Sequence, residues 1–113
     1  MRRGTTRFGP WSLRSGVPHS GPLWVAALPA DAKLTLRAWQ PGDRMIPAGA
    51  TTPRRVKGLL RDAGIDAARR VGWPVVLADD EIVWIPGVRL SDMATRHSGR
   101  PMLTFTCERD DER

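Results

Sequence analysis

The sequence predicts an α+β fold, a small β-rich mixed sheet or partial barrel with one main helix and one short helix. Three observations lead there. Residues 33–39 alternate apolar and polar with the period of two that marks a half-buried strand. Within residues 53–63, Val56, Leu59, Leu60 and Ala63 stand at the i, i+3, i+4, i+7 spacing of one helical face. Two short apolar runs, 75–78 and 82–85, flank an acidic Asp79-Asp80-Glu81 tip, the pattern of a β-hairpin.

Taken in order, residues 1–22 scatter Gly, Pro and Ser without a sustained period and read as an irregular basic arm, with a short strand at most around 11–13. The Arg-rich start has the composition of a transit peptide, but Gly, Pro and Trp interrupt any amphipathic helix. Residues 23–28 (LWVAAL) form a strand, and PADA turns the chain. In the next strand Leu34, Leu36 and Ala38 face inward, while Lys33, Thr35, Arg37 and Trp39 share the wet face. Trp39 there either stacks on a base or sugar or packs against Pro41. Pro41-Gly42 suits the centre of a type II turn, because proline fixes φ near −65° and glycine accepts positive φ.

The main helix, about 53–63, is expected to begin with Thr52 as cap and Pro53 at the first helical position, and to end at a left-handed Gly64. Asp66 can cap a short helix over 67–70. Trp24 and Trp84 belong to the core, and Trp73 plugs the base of the hairpin. Pro86-Gly87 turns the chain again, a last strand covers 102–107, and 108–113 is a charged tail. One domain over 23–107 results, which is the number a 113-residue chain can support.

Composition narrows the function. A net charge of +6 and a pI of about 11.2 favour a polyanionic partner, though sign alone does not separate nucleic acid from an anionic membrane surface. The longest apolar run, 23–28, falls far short of the ~20 residues a membrane-spanning helix needs. Cys107 is the single cysteine, so no internal disulfide exists, a zinc cluster with His19 and His97 is disfavoured, and a reducing cytosol fits. Ser91, Asp92 and His97 are the residue types of a catalytic triad, but Ser91 and Asp92 are neighbours whose side chains diverge. Asp79, Asp80 and Glu81 read as a wet hairpin tip rather than a metal site. Asp43 reads as a turn residue accepting backbone N–H bonds, or as a partner of Arg44. With no GxxxxGK[ST] loop either, the chain shows no machinery for covalent chemistry.

The basic residues are concentrated. Between Lys33 and Arg61 lie Lys33, Arg37, Arg44, Arg54, Arg55, Lys57 and Arg61, against the single acid Asp43. Arginine outnumbers lysine, and its planar fork grips phosphate oxygens in a bidentate way that an ammonium cannot. A helix N-terminus near Thr52 would add the positive end of its dipole. These are properties of an anion site.

The segments LRAWQPGDRMIPAG, RRVKGLLRDAGI and PVVLADDEIVWIPGVRLSDMA together resemble the C-terminal domain of tRNA(Ile)-lysidine synthase over about residues 34–94, and PWSLRSG…LWVAALPAD is similar to its lead-in. The resemblance implies a cytoplasmic bacterial ligase family. Its N-terminal domain uses ATP to activate C2 of the wobble cytidine in an isoleucine tRNA with a CAU anticodon, and lysine then attacks to give lysidine. It implies that the C-terminal domain binds the acceptor-stem side of the tRNA, through a β-rich fold shared with a domain of the phenylalanyl-tRNA synthetase β subunit. No S-G-G-x-D-S loop occurs here, so ATP and lysine sites do not map onto this sequence, and no cofactor is expected in it. A fragment, or a stand-alone chain with a separate catalytic domain as partner, is the expectation. Ile65-Asp66 stands where many members have Ile-Pro.

The expected tRNA-binding residues are thus Arg37, Arg44, Arg54, Arg55, Lys57 and Arg61. Arg89, which matches the family's arginine, either extends this surface or pairs with Asp92. The alternative function is a protein-interaction module whose basic face docks an acidic or catalytic partner.

Overall fold

The computed structural model describes residues 5–15, 24–92 and 101–109. In chain order they form β1 (Thr5–Phe8), β2 (Trp11–Ser15), β3 (Val25–Pro29), β4 (Leu34–Ala38), β5 (Arg44–Met45), β6 (Arg54–Arg55), α1 (Val56–Asp62), α2 (Ala67–Arg70), β7 (Pro74–Ala78), β8 (Glu81–Ile85), β9 (Arg89–Leu90) and β10 (Met102–Arg109). The strands fall into two four-stranded sheets, ordered β1-β2-β10-β3 and β4-β7-β8-β9, and a two-stranded ribbon of β5 and β6. Every pairing is antiparallel. The α+β class expected from the sequence holds.

One continuous core joins these layers. Leu13, Leu28 and Phe105 enter it from the first sheet, Val75, Val76, Val83 and Trp84 from the second, and Val56, Leu59 and Leu60 from α1. All of β7 and all of β8 beyond Glu81 are buried, so this hairpin is covered on both faces. Its tip is a two-residue turn with Asp79 and Asp80 at φ 50° and 74°, between the paired Ala78 and Glu81. Asp79 also ties down the start of β4: its Oδ1 accepts at 2.9 Å from the N of Lys33, the residue before that strand.

Residues 5–15 correct the reading of an irregular arm. They form a hairpin through Gly9 (φ 55°) and Pro10, and β2 pairs along β10 with Trp11 and Leu13 in the core. Apolar burial of Phe8, Trp11 and Leu13 outweighs the local irregularity that Gly and Pro suggest. The charged tail also begins later than expected, since Glu108 and Arg109 lie in β10. His19, His97 and residues 110–113 lie outside the described residues.

The main helix is shorter than expected. Arg54 and Arg55 are strand, and Arg55 is the N-cap, extended and without a side-chain cap. Thr52 therefore does not cap, and Pro53 precedes the helix by two further residues. Ladder pairing with β5 holds Arg54–Arg55 extended, overriding the local Thr-Pro start signal. The end is as expected: Gly64 (φ 84°) donates to Arg61 O at 2.9 Å and Ile65 to Leu60 O at 3.1 Å, with Ile65 buried beneath. Asp66 caps α2 by accepting from Arg69 N at 3.0 Å.

Candidate nucleic-acid interface

The corner between β4 and β5 is built from the turn upward. Asp43 N donates to Gln40 O at 3.0 Å and Gly42 has φ 97°, so Pro41-Gly42 forms the expected type II turn. Asp43 then serves three partners. Its Oδ2 accepts from Gln40 N at 2.7 Å, and its carboxylate receives both ends of the Arg37 fork, Nη1 to Oδ2 at 2.9 Å and Nη2 to Oδ1 at 3.2 Å. Its carbonyl oxygen accepts from Val56 N at 3.0 Å, tying the first residue of α1 to the turn. Burial pushes the Asp43 carboxyl up, but the Arg37 hydrogen bond, the Gln40 N–H and the Arg37 charge together outweigh it, and the group sits below the usual carboxylate range.

Arg37 is accordingly half-buried, paired with Asp43 and donating also to Ala38 O. Asp43 does not pair with Arg44, as one reading of the sequence had it; it pairs with Arg37. The wet-face position of Arg37 was legible from alternation, but a fork already holding a carboxylate is not open to phosphate. Trp39, expected beside it, is half-buried and donates from Nε1 to Arg70 O at 2.6 Å.

Directly beyond Asp43 the ribbon sets arginines against each other. Arg44 and Arg55 are cross-strand partners, so their side chains leave the same face. Both are exposed, and like charges directly opposite oppose the pairing. Neither has an ion-pair partner among the described residues. The same is true of Lys57 and Arg61, which share one stripe of α1 at i, i+4 spacing. Arg54 differs, donating from Nη2 to Asp62 Oδ2 at 2.9 Å; both side chains are about half exposed, so water screens the pair. Arg89 lies apart on β9, where its Nη2 donates to Ala48 O at 3.4 Å.

Of the seven expected residues, then, the fold sets Arg44 against Arg55, leaves Lys57 and Arg61 accessible nearby in sequence, and commits Arg37 to the scaffold. Cys107 is buried, and Ser91 is buried where its N donates to Val83 O. No cluster of metal-ligating side chains occurs among the described residues, nor any helix long and apolar enough to cross a membrane.

What sequence reasoning missed is the place of Trp11 in the aromatic end of the core, beside the expected Trp24 and Trp73. Trp11 stacks on Trp24 with centroids 5.9 Å apart and planes 8° apart, and Trp73 tilts against both at 5.5 and 6.1 Å. Trp73 donates from Nε1 to Pro86 O at 3.0 Å, the plug expected of it. Gly87, at φ 79°, lets the turn approach Trp24: a Cβ there would clash with the Trp24 ring. The FGPW stretch carried a signal for this, since two aromatics flanking Gly-Pro mark a two-residue hairpin.

Comparison with known proteins agrees with this architecture. The family model described as the TilS substrate C-terminal domain matches residues 34–106. The tRNA(Ile)-lysidine synthase of Geobacter sulfurreducens is 34% identical over 92 residues, covering 77% of this chain and 20% of that protein. The synthases of Symbiobacterium thermophilum and Bacillus subtilis are 35% and 34% identical over 66 and 76 residues, covering 58% and 64% of this chain and 14% and 16% of theirs. The chain therefore spans a fifth or less of the length of these relatives. A solved structure titled "Crystal structure of TILS C-terminal domain" superposes with a TM-score of 0.76 at 21% identity, over 97% of this chain and 93% of that one, and so shares the fold. The chain belongs to the family of the C-terminal domain of tRNA(Ile)-lysidine synthase.

Proposed function

We propose that this chain is the tRNA-binding domain of a tRNA(Ile)-lysidine synthase, holding the acceptor-stem side of an isoleucine tRNA. ATP-dependent ligation of lysine to C2 of the wobble cytidine belongs, on this reading, to a catalytic domain outside these residues, and the setting is the cytoplasm. The observation that carries the reading is the opposition of Arg44 and Arg55 on an exposed two-stranded ribbon. Such a pair is unfavourable alone and becomes favourable when backbone phosphates dock on the two guanidiniums, one at each. Membership of a family whose relatives are tRNA(Ile)-lysidine synthases supports an RNA backbone as the anion. Double-stranded RNA is recognised mainly through shape, phosphate and 2′-OH, which suits a ribbon pinned by a type II turn and an internal ion pair.

Arg44, Arg55, Lys57 and Arg61 make the phosphate contacts, Arg54 flanks them, Arg89 adds positive charge from β9, and Arg37 fixes the turn. Binding of fluorescently labelled isoleucine tRNA tests this. The Arg44→Glu/Arg55→Glu variant should bind about tenfold more weakly or worse, with its thermal unfolding unchanged. Undiminished affinity in that variant would remove the reading. Competition by polyglutamate as effective as by tRNA would favour the protein-docking alternative instead.

A further inference from the structure

A cleft of about 700 Å³ opens at the aromatic end of the core, between the β1–β2 turn and α2. Its base is formed by Trp11, Trp24 and Trp73, and α2 with the following residues supplies Arg69 and Val71 to its opposite wall. Val71 is 82% exposed, an apolar lip left open to water. On the near wall, Arg109 is the cross-strand partner of Trp11, and its guanidinium carbon lies 5.3 Å from the Trp11 ring centroid. The cation thereby forms a ledge over the Trp11 ring at the edge of the cleft. Guanidiniums and indoles both stack on planar bases, and Arg69, with the lining acid Glu108 paired to Arg14 at 3.4 Å, favours a ligand that carries phosphate.

We propose that this cleft receives one unpaired nucleobase of the bound RNA, stacked on the Arg109–Trp11 ledge with its phosphate toward Arg69. The inference rests on the RNA-binding reading but uses a different surface. It predicts that the domain discriminates RNA with a single-stranded end from fully paired RNA, whatever the paired sequence, because stacking needs a free base and not a particular one.

The test compares two RNA hairpins, one blunt and one with a four-nucleotide 3′ overhang carrying 2-aminopurine. The overhang should raise affinity roughly five- to a hundredfold, and 2-aminopurine emission should be quenched on binding. Ala68→Trp, at an exposed position lining the cleft, fills it without disturbing the core; Arg109→Ala removes the ledge. Both variants should cut the overhang's advantage to about twofold or less and leave blunt-hairpin binding unchanged. Equal affinity for the two wild-type complexes, or an advantage that survives Ala68→Trp, overturns the proposal while leaving the phosphate surface standing. Failure of the blunt hairpin alone to bind points instead to failure of the Arg44–Arg55 reading. Displacement of the overhang by an acidic tryptophan-bearing peptide, but not by adenosine monophosphate, assigns the cleft to a protein segment and also overturns it.

Discussion

The β7–β8 hairpin and the β5–β6 ribbon are both antiparallel pairs, yet they use their side chains in opposite ways. From Pro74 to Ala78 and Ile82 to Ile85 every residue of the hairpin is buried, and its charges are confined to the tip and to Glu81. In the ribbon only Met45 is buried, and the remaining three positions are arginines in water. The hairpin stabilises the domain by burying apolar area; the ribbon opposes its own pairing through like charge and is held by its neighbours. Stability and binding are thus assigned to different strands, and substitutions in one should leave the property of the other intact.

The sharpest break comes from the hairpin. Trp84 is 1% exposed, and Trp84→Ala should cost about 3–5 kcal/mol in urea unfolding. Next is the turn that closes it: Gly87→Ala places a methyl against the stiff Trp24 ring at a positive φ, and a loss of about 2 kcal/mol is expected.

Asp43, which joins the two regions, comes third. Asp43→Asn breaks the bidentate contact with Arg37 and should cost about 1–2 kcal/mol at neutral pH. Because folding depresses the Asp43 pKa, its contribution is present above the unfolded value of 3.8 and is lost as pH falls through the lower folded value. The stability difference between wild type and Asp43→Asn, followed by urea titration from pH 7 to pH 2, should therefore shrink below about pH 4. The smallest effect belongs to the ribbon: Arg44→Gln/Arg55→Gln relieves the like-charge opposition and should raise stability by about 0.5 kcal/mol or less.

The same contrast explains what the sequence could disclose. The hairpin announced itself through two apolar runs around acidic residues, and α1 through its buried stripe and Gly64. These signals are local and repeat with a period. A two-residue strand has no period, so β5 and β6 were invisible, and the Thr52-Pro53 start signal then drew the helix three residues too early. Alternation placed Arg37 on the outer face of β4 but could not disclose that the chain turns back and delivers Asp43 to it six positions later. Likewise Trp11 lay in a stretch rich in Gly and Pro, and only pairing with the distant β10 makes it core. Composition counted the arginines; the fold decided which were already taken.

The salt dependence of tRNA binding tests the central claim most directly. If Arg44 and Arg55 each neutralise a phosphate, the slope of log affinity against log salt should become shallower by about 1.4–1.8 in Arg44→Gln/Arg55→Gln, at roughly 0.7–0.9 per contact. Arg37→Gln, which removes a guanidinium already held by Asp43, should leave the slope nearly as it is in the wild type. Equal slopes in the wild type and the Arg44→Gln/Arg55→Gln variant, or a drop on replacing Arg37 as large as on replacing the ribbon pair, would contradict the account.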